Sequence, residues 1–338
     1  MSDAATFDAK AAMAAYRTTF EEGCGAFLTR YPDSELYAPV RYLMSLGGKR
    51  LRPVLVMAAC EACGGKPEDA LPAAMAVELF HNFTLMHDDI MDDAPLRRGQ
   101  PTVHEKWDAN TAILSGDALH VIACEALLDA PSKALPDLLR VFHRTALEVC
   151  EGQEQDMAFE SRRDVELEDY MEMIRLKTSV LLAAALDMGG ASAGADARIR
   201  EALYEFGLHV GLAFQLQDDY LDAFGNPENF GKQVGGDILA DKKTFLLIRA
   251  MEKAHGSDRE ALLSELGSKR EGKVERVLDV YRRLGVDAEL RDAMAGQVSL
   301  AEGALSRMKA ATPQALQGSE AALALLHGVA AMVTARLN

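Results

Sequence analysis

Apolar residues recur every three or four positions along almost the whole chain, and no stretch convincingly alternates apolar and polar residues. This spacing places apolar side chains on one face of an α-helix, whereas a half-buried strand needs a period of two. Glycine and proline separate the periodic runs at 64–67, 131, 189–190 and 225–227, where helices are predicted to end. The pattern predicts an all-α protein of about ten or more helices, many longer than the ~11-residue average.

No segment has the composition of a linker, and the most loop-like stretch, residues 225–241, is short and charged. One motif occurs twice: segments 83–92 and 213–222 both end in Asp-Asp-x-x-Asp. Both copies follow a strongly apolar helical run, which places them on helices that face the core. A single domain spanning residues 1–338, built around two matching helices, is the simplest organisation.

The composition narrows the function classes. Of the 338 residues, 49% are hydrophobic and 26% charged, which allows a large core and excludes a disordered chain. The 36 Lys and Arg against 52 Asp and Glu give a net charge of -16, the wrong sign for a general nucleic-acid or anionic-membrane binder. An anionic substrate would therefore need a local basic cluster or bound metal.

Location is inferred from cysteine usage and from the apolar stretches. The five scattered cysteines do not indicate a disulfide framework, and Cys60 and Cys63 are interpreted as buried thiols rather than redox or zinc ligands. The N-terminal segment lacks the basic start and apolar core of a secretion signal. The longest weakly polar stretch, residues 321–335, is shorter than the ~20 residues of a membrane span. We therefore expect a cytoplasmic protein without a membrane span.

The Asp clusters carry the candidate chemistry. On a helix, Asp88 and Asp92 lie on one face, ~5–6 Å apart at Cβ, whereas Asp89 points ~100° away. Like charges at this spacing destabilise a helix, so a bound cation would offset the cost. Mg²⁺ prefers oxygen ligands and is typically held by one or two carboxylates plus substrate phosphates. Asp218 and Asp222 repeat the arrangement; either cluster alone would fit a solvated acidic helix end equally well.

Basic residues accompany both clusters. They form three groups with one further lysine: Lys49, Arg50 and Arg52; Arg97 and Arg98; Lys232, Lys242 and Lys243; and Lys177 between the clusters. Arg binds phosphate through two parallel hydrogen bonds, and Lys supplies a point charge. In an acidic chain this distribution favours a substrate with diphosphate groups, although Arg50 and Lys243 are better explained as ordinary surface residues.

Six motifs occur in order between about Tyr42 and Leu247. They are GGKRLRP (47–53), ELFHNFTLMHDDIMDDAPLRRG (78–99), SGDAL (115–119), RLKTS (175–179), FQLQDDYLDAFG (214–225) and GKQVGGDILADKKT (231–244). This set resembles the trans-isoprenyl diphosphate synthases of the polyprenyl synthetase family, of the short-chain farnesyl or geranylgeranyl type. The resemblance implies a homodimeric helical bundle, each chain with a deep central cavity, that condenses isopentenyl diphosphate head-to-tail with an allylic diphosphate.

The resemblance also implies roles for single residues. Asp88 and Asp92 would hold two Mg²⁺ and Asp218 a third, with Asp222 in support, giving about three ions per site. The allylic diphosphate would be held by Arg97, Lys177, Lys232 and Lys242. The isopentenyl diphosphate would be held by Lys49, Arg52, His81 and Arg98. Thr178 and Gln215 would line the site near the developing carbocation.

The resemblance implies that the growing product chain runs along the helix that bears Asp88. Phe83, five residues before it, is expected to form the floor of the product cavity, next to the small Thr84. One aromatic residue here and an uninterrupted Asp motif resemble the twenty-carbon synthases, so geranylgeranyl diphosphate is favoured over farnesyl diphosphate.

Two alternative functions stay open. A class I terpene cyclase also uses an Asp-rich helix and Mg²⁺, but it does not need the second Asp motif or the basic motif at 47–53. A non-catalytic regulatory subunit would be expected to lack motif aspartates, and here all six are present.

Overall fold

The computed structural model describes residues 2–162, 164–225, 235–311 and 320–335. These residues form two compact units whose segments alternate along the chain. The first unit takes its residues from 1–146, 181–205 and 304–328, and the second from 147–180, 206–303 and 329–338. The organisation of residues 1–338 as a single domain stays a prediction.

Helices account for nearly all regular structure in the described residues. They are α1 Ser2–Leu28, α2 Ala38–Ser45, α3 Leu51–Ala62, α4 Leu71–Met91, α5 Val103–Lys106, α6 Ala109–Ala126, α7 Leu135–Ser161, α8 Leu167–Ile174, α9 Val180–Ser192, α10 Ala197–Phe224, α11 Gly236–Leu239, α12 Phe245–Lys253, α13 Gly256–Glu265, α14 Lys273–Leu284, α15 Val286–Ala311 and α16 Glu320–Ala335. Short 3₁₀ turns cover Pro67–Ala70 and Leu127–Asp129, and a π turn covers Arg175–Ser179. The predicted all-α class is confirmed.

In the first unit, α4 packs along α3 and α6. Cys60 and Cys63, at the end of α3, are both buried, and burial raises the pKa of each thiol to about 12. This confirms their interpretation as buried thiols.

Gly189 and Gly190 do not end a helix as predicted, because α9 continues to Ser192. Their role is close packing. A Cβ at Gly189 would lie only 2.2 Å from the Val56 carbonyl oxygen of α3. The missing side chain therefore lets two helix backbones approach each other. Spacing along the sequence could not reveal this, because the neighbour is distant in the chain.

The apolar stretch at α6 is longer than the one predicted to be the longest in the chain. Residues Ala109–Asp129, and not 321–335, are the longest weakly polar run, and by length and composition alone they could cross a membrane. Asp117 and Glu125 interrupt the run, which is why it escaped notice. In this unit 44% of its tested window is buried, and a core helix passes the same test. The cytoplasmic location stays a prediction.

A small hairpin follows the first Asp motif and was not predicted. Strands β1 Leu96–Arg97 and β2 Gln100–Pro101 pair antiparallel around Arg98 and Gly99. Both turn residues have positive φ, 54° and 76°, as a tight type I′ turn requires. Two residues per strand are too few to produce an alternating pattern in the sequence.

The second unit has its own hydrophobic core. Tyr170 and Ile174 of α8 pack in one cluster with Leu216 of α10 and Phe245 of α12. Helix α14 contributes Val277 and Tyr281, and it lies between two glycines, Gly272 and Gly285, with left-handed backbone. This core supports the end of α10, where the second Asp motif lies.

Candidate active site

The first Asp motif lies at the C-terminal end of α4. Asp88 is in the last turn, and the exposed Asp92 is the C-cap, whose N–H donates to the Asp88 carbonyl at 2.8 Å. Carboxylates at this position repel each other and are also repelled by the negative end of the helix dipole. Both effects favour a bound cation. Since the ligand atoms are hard oxygens, the site suits Mg²⁺.

Asp89 turns away from that face and is buried. Arg97 Nε lies 3.0 Å from Asp89 Oδ1 and 3.2 Å from Oδ2, and Arg97 Nη2 also donates to Oδ1. The Asp89 side chain is 2% exposed and that of Arg97 29%. The second aspartate of the motif therefore fixes the position of a predicted diphosphate-binding arginine. The sequence pattern did not reveal this role.

Four residues of the first unit are predicted to bind isopentenyl diphosphate, and contacts fix three of them. Arg52 and His81 contact each other, and Arg98 contacts the glycine loop. Arg52 Nη1 donates to His81 Nε2 at 3.1 Å, and Arg98 donates to the Gly47 carbonyl. A Cβ at Gly48 would be 3.0 Å from Arg98 Cζ, and its φ of 132° suits glycine. Lys49 is exposed on the same loop.

His81 is neutral in this environment. Burial lowers its pKa well below the ordinary value, and the positive charges of Arg52, Arg98 and Arg97 lower it further. Since Nε2 accepts a hydrogen bond from Arg52, the proton of the neutral ring is on Nδ1. Burial also lowers the pKa of Arg52, and Arg52 Nε has no hydrogen-bond partner among the described residues. This donor is suited to an anionic ligand.

The interpretation of Arg50 as a surface residue was wrong. Its side chain is buried and pairs with Glu78 of α4 at 2.6 Å, and Nη2 donates to the Met44 carbonyl. The residue has a left-handed φ of 50° at the start of α3, so the ion pair holds the turn of the 47–50 loop. Its partner is distant in sequence, and for that reason the pattern did not reveal it.

Lys243, the other basic residue interpreted as an ordinary surface residue, donates to the Glu160 carbonyl at 3.3 Å.

In the second unit, the Asp motif lies in the last two turns of α10. Asp219 is buried, accepts from the Tyr170 hydroxyl at 2.5 Å and lies 3.4 Å from Gln215 Nε2. Burial raises the pKa of Asp219 to about 7. Asp222 accepts from the Asp237 N–H at 3.0 Å, while Asp218 is partly exposed. As in the first motif, the second aspartate is the buried one.

Lys177 and Thr178 lie on the π turn that joins α8 to α9. The Ser179 hydroxyl donates to the Ile174 carbonyl five residues earlier, at 3.2 Å. Such turns interrupt a helix and occur frequently at functional sites. Gly152 lets α7 pack closely against this turn, because a Cβ at Gly152 would be 2.3 Å from the backbone nitrogen of Lys177.

The side chains of Lys177 and Thr178 both have partners within the second unit. Lys177 Nζ pairs with Asp156, and Thr178 Oγ1 lies 3.4 Å from Gln215 Oε1. Thr178 and Gln215 therefore lie next to each other, and their place beside the developing carbocation stays a prediction. The exposed Lys242 lies after α11, and Lys232 lies outside the described residues.

Comparison with known proteins decides the family. The sequence model of the polyprenyl synthetase family matches residues 33–284. The short chain isoprenyl diphosphate synthase of Methanothermobacter thermautotrophicus is 44% identical over 255 residues, which cover 75% of this chain and 78% of that protein. The chain belongs to the polyprenyl synthetase family.

Solved structures of synthases have the same fold as this polyprenyl synthetase. A crystal structure of geranylgeranyl pyrophosphate synthase superimposes with a TM-score of 0.88 at 42% identity, covering 96% of this chain and 98% of that one. The geranylgeranyl pyrophosphate synthase of Corynebacterium glutamicum, solved with isoprenyl diphosphate and magnesium, has a TM-score of 0.76 at 26% identity, covering 99% and 98%. The predicted family, fold type and enzyme class, a trans-prenyltransferase, are confirmed.

Of the two predicted floor residues of this polyprenyl synthetase, Phe83 lies in an aromatic cluster of the first unit. The Phe83 ring is 4.7 Å from the ring of His87 and 4.9 Å from that of His120. His87 in turn fills the space above Gly116, where a Cβ would be 2.3 Å from Nε2. Thr84 donates to the His81 carbonyl at 2.8 Å. Phe83 is therefore supported from α6 as well as from its own helix.

Four residues that matter to the site were missed. Asp89 accepts hydrogen bonds from Arg97, and Asp219 accepts one from Tyr170. The signal for both was the ~100° offset on a helix between the first and the second aspartate of each motif. Asp156 and Tyr170 pair with Lys177 and Asp219. No sequence signal identified either one, because their partners are distant in the chain.

Proposed function

We propose that this trans-prenyltransferase condenses isopentenyl diphosphate with dimethylallyl, geranyl and farnesyl diphosphates and releases geranylgeranyl diphosphate. The observation that carries the proposal is the cluster of Arg52, Arg98 and the neutral His81, in the unit that also holds Asp88 and Asp92. A cyclase binds one diphosphate, whereas this cluster offers a place for a second one. Retention of all six motif aspartates argues against a silent regulatory subunit.

The Asp motifs fit Mg²⁺. Asp88, Asp92, Asp218 and Asp222 offer hard oxygen ligands near helix C-termini, and the repulsion between the two carboxylates within each motif favours a bound cation. About three ions per site, as the resemblance implies, would neutralise the leaving diphosphate so that its C–O bond can ionise. The magnesium in the Corynebacterium glutamicum structure supports this assignment.

The isopentenyl diphosphate is assigned to Lys49, Arg52, His81 and Arg98. Arg52 is oriented by His81, and its buried Nε offers a donor without a partner among the described residues. The neutral His81 adds a donor at Nδ1 rather than a further charge. Arg98 is positioned by the glycine loop, and Lys49 provides an exposed point charge at its edge.

The allylic diphosphate is assigned to Arg97, Lys177, Lys242 and Lys232. Asp89 and Asp156 hold the first two in fixed positions before substrate arrives, which lowers the entropic cost of binding. Thr178 and Gln215 present oxygen atoms in the second unit, and oxygen dipoles stabilise positive charge as it develops on the allylic carbon.

Phe83 is proposed as the floor that sets a twenty-carbon product. Its contacts with His87 and His120 restrict ring movement, so the floor is rigid. The geranylgeranyl synthase with 42% identity supports this length over fifteen carbons.

A homodimer is proposed on the exposed face of α6 and the turn that follows it. Leu114, Val121 and Leu128 are 60%, 65% and 64% exposed, and their seven-residue spacing places them on one face. Analytical ultracentrifugation tests the assignment. A dimer that dissociates in Val121→Glu supports it, and a wild-type monomer contradicts it.

Mutation of Asp88 tests the catalytic role. Asp88→Ala should reduce turnover by at least ~10³-fold, because it removes part of the electrostatic stabilisation of the leaving group. The matched control is Asp33→Ala, since Asp33 is a fully exposed aspartate of the same unit. Undiminished turnover in Asp88→Ala would contradict the proposed mechanism.

A further inference from the structure

A second group of metal-ligating side chains lies just beyond the first Asp motif. Ligand atoms of Asp93, His104 and Glu105 all lie within 4.8 Å of one another. Asp93 and Glu105 are exposed, whereas the His104 side chain is only 9% exposed. None of the three belongs to the proposed Mg²⁺ or diphosphate ligands.

His104 is the unusual member of this group. Both of its ring nitrogens are buried and neither has a hydrogen-bond partner among the described residues. The Glu105 carboxylate is close, with Oε1 3.9 Å from His104 Nε2, but this distance is too long for a hydrogen bond. Buried polar atoms nearly always have a partner, and leaving one without costs about 1–3 kcal/mol. An imidazole in this state is suited to a ligand.

Local backbone structure holds the three residues together. Asp93 has a left-handed φ of 48°, which turns the chain after α4. The Thr102 hydroxyl donates to the carbonyl of Ala94 at 2.8 Å, and the Thr102 N–H donates to that of Pro95 at 3.2 Å. Thr102 directly precedes α5, which carries His104 and Glu105. The chain is therefore fixed on both sides of the hairpin.

We propose that Asp93, His104 and Glu105 bind a divalent transition-metal ion of the Zn²⁺ type. One imidazole with two carboxylates suits such an ion, whereas Mg²⁺ prefers an all-oxygen set. Zn²⁺ binds nitrogen and oxygen at ~2.0–2.2 Å, so donor atoms across the ion are at most ~4.4 Å apart. Small movements of the two exposed carboxylates bring the group within that limit.

The ion would join the two ends of segment 93–105. This segment contains the hairpin with Arg97 and Arg98, so the ion would restrain both arginines. That consequence rests on the proposed function, but metal binding itself does not.

Zn²⁺ titration of the full-length protein tests the site. The protein is freed of metal with a chelator, supplied with about 10 mM Mg²⁺ to occupy the Asp motifs, and titrated with Zn²⁺ against a chromophoric competitor. We expect one strong site per chain and a rise in Tm of about 3 °C at saturation. His104→Ala and Glu105→Gln should each weaken binding at least about tenfold.

Two controls separate this site from others. His255→Ala removes an exposed histidine and should leave Zn²⁺ binding unchanged. Asp88→Ala should also leave it unchanged, and with this variant the two proposals can fail separately. Because Glu105 is exposed, Glu105→Gln decides the matter even if His104→Ala folds poorly. The proposal is overturned if His104→Ala and Glu105→Gln both bind Zn²⁺ like the wild type, or if Asp88→Ala alone loses Zn²⁺ binding.

Discussion

Asp89 is expected to act through Arg97 and not as a metal ligand. Asp89→Asn keeps the size of the side chain but removes the charge that Arg97 contacts through two nitrogens. Hydrogen bonds to charged groups contribute about 1.5–3 kcal/mol, and breaking a fully buried ion pair costs about 3–5 kcal/mol. Arg97 is 29% exposed, so water partly solvates the released guanidinium and the lower range applies. We expect a loss of about 2–3 kcal/mol in the free energy of unfolding, or about 3–4 °C in Tm.

A double-mutant cycle with Arg97→Gln measures the coupling. The double variant should lose about 2 kcal/mol less than the sum of the single variants, because both remove the same interaction. In steady-state kinetics, each single variant should raise the KM for the allylic substrate about tenfold or more, with little change in the KM for isopentenyl diphosphate. Additive losses of stability, or an increased Mg²⁺ requirement in Asp89→Asn alone, would refute this reasoning.

Three further predictions follow from single contacts. Gly189→Ala places a Cβ against the Val56 carbonyl and should cost about 3 kcal/mol of unfolding free energy in a denaturant titration, whereas Gly296→Ala, in open space, should not destabilise. Phe83→Ala should lengthen the product by at least one isoprene unit in chromatography of dephosphorylated products; an unchanged length would exclude Phe83 as the floor. The lowered pKa of His81 keeps it neutral when folded, while the unfolded state takes up a proton near pH ~6.5, so Tm should fall from about pH 7.5 to about 5.5. His81→Gln should reduce that fall, and an equal fall in both proteins would contradict the assignment.

The helices and both Asp motifs were predictable because their signals are local. Periodicity along α4 and α10 identifies helices, and the four-residue spacing identifies the outer aspartates of each motif. The ~100° offset also predicted that Asp89 would leave the metal-binding face, and its burial agrees.

The missed features depend on contacts between distant residues. The Arg50–Glu78 ion pair, the packing of Gly189 on Val56 and the Lys177–Asp156 pair each join residues far apart in the chain. The π turn at 175–179 is defined by its backbone hydrogen bonds, which residue types alone do not reveal, so the RLKTS motif was visible while its geometry was not.

Chain elongation tests the central claim most directly. Purified protein is incubated with Mg²⁺, labelled isopentenyl diphosphate and, separately, dimethylallyl, geranyl or farnesyl diphosphate, and dephosphorylated products are separated by length. We predict Mg²⁺-dependent elongation from each primer to a twenty-carbon product. A fifteen-carbon limit would keep the enzyme class and exclude the proposed role of Phe83. Absence of elongation from every primer would contradict the synthase function.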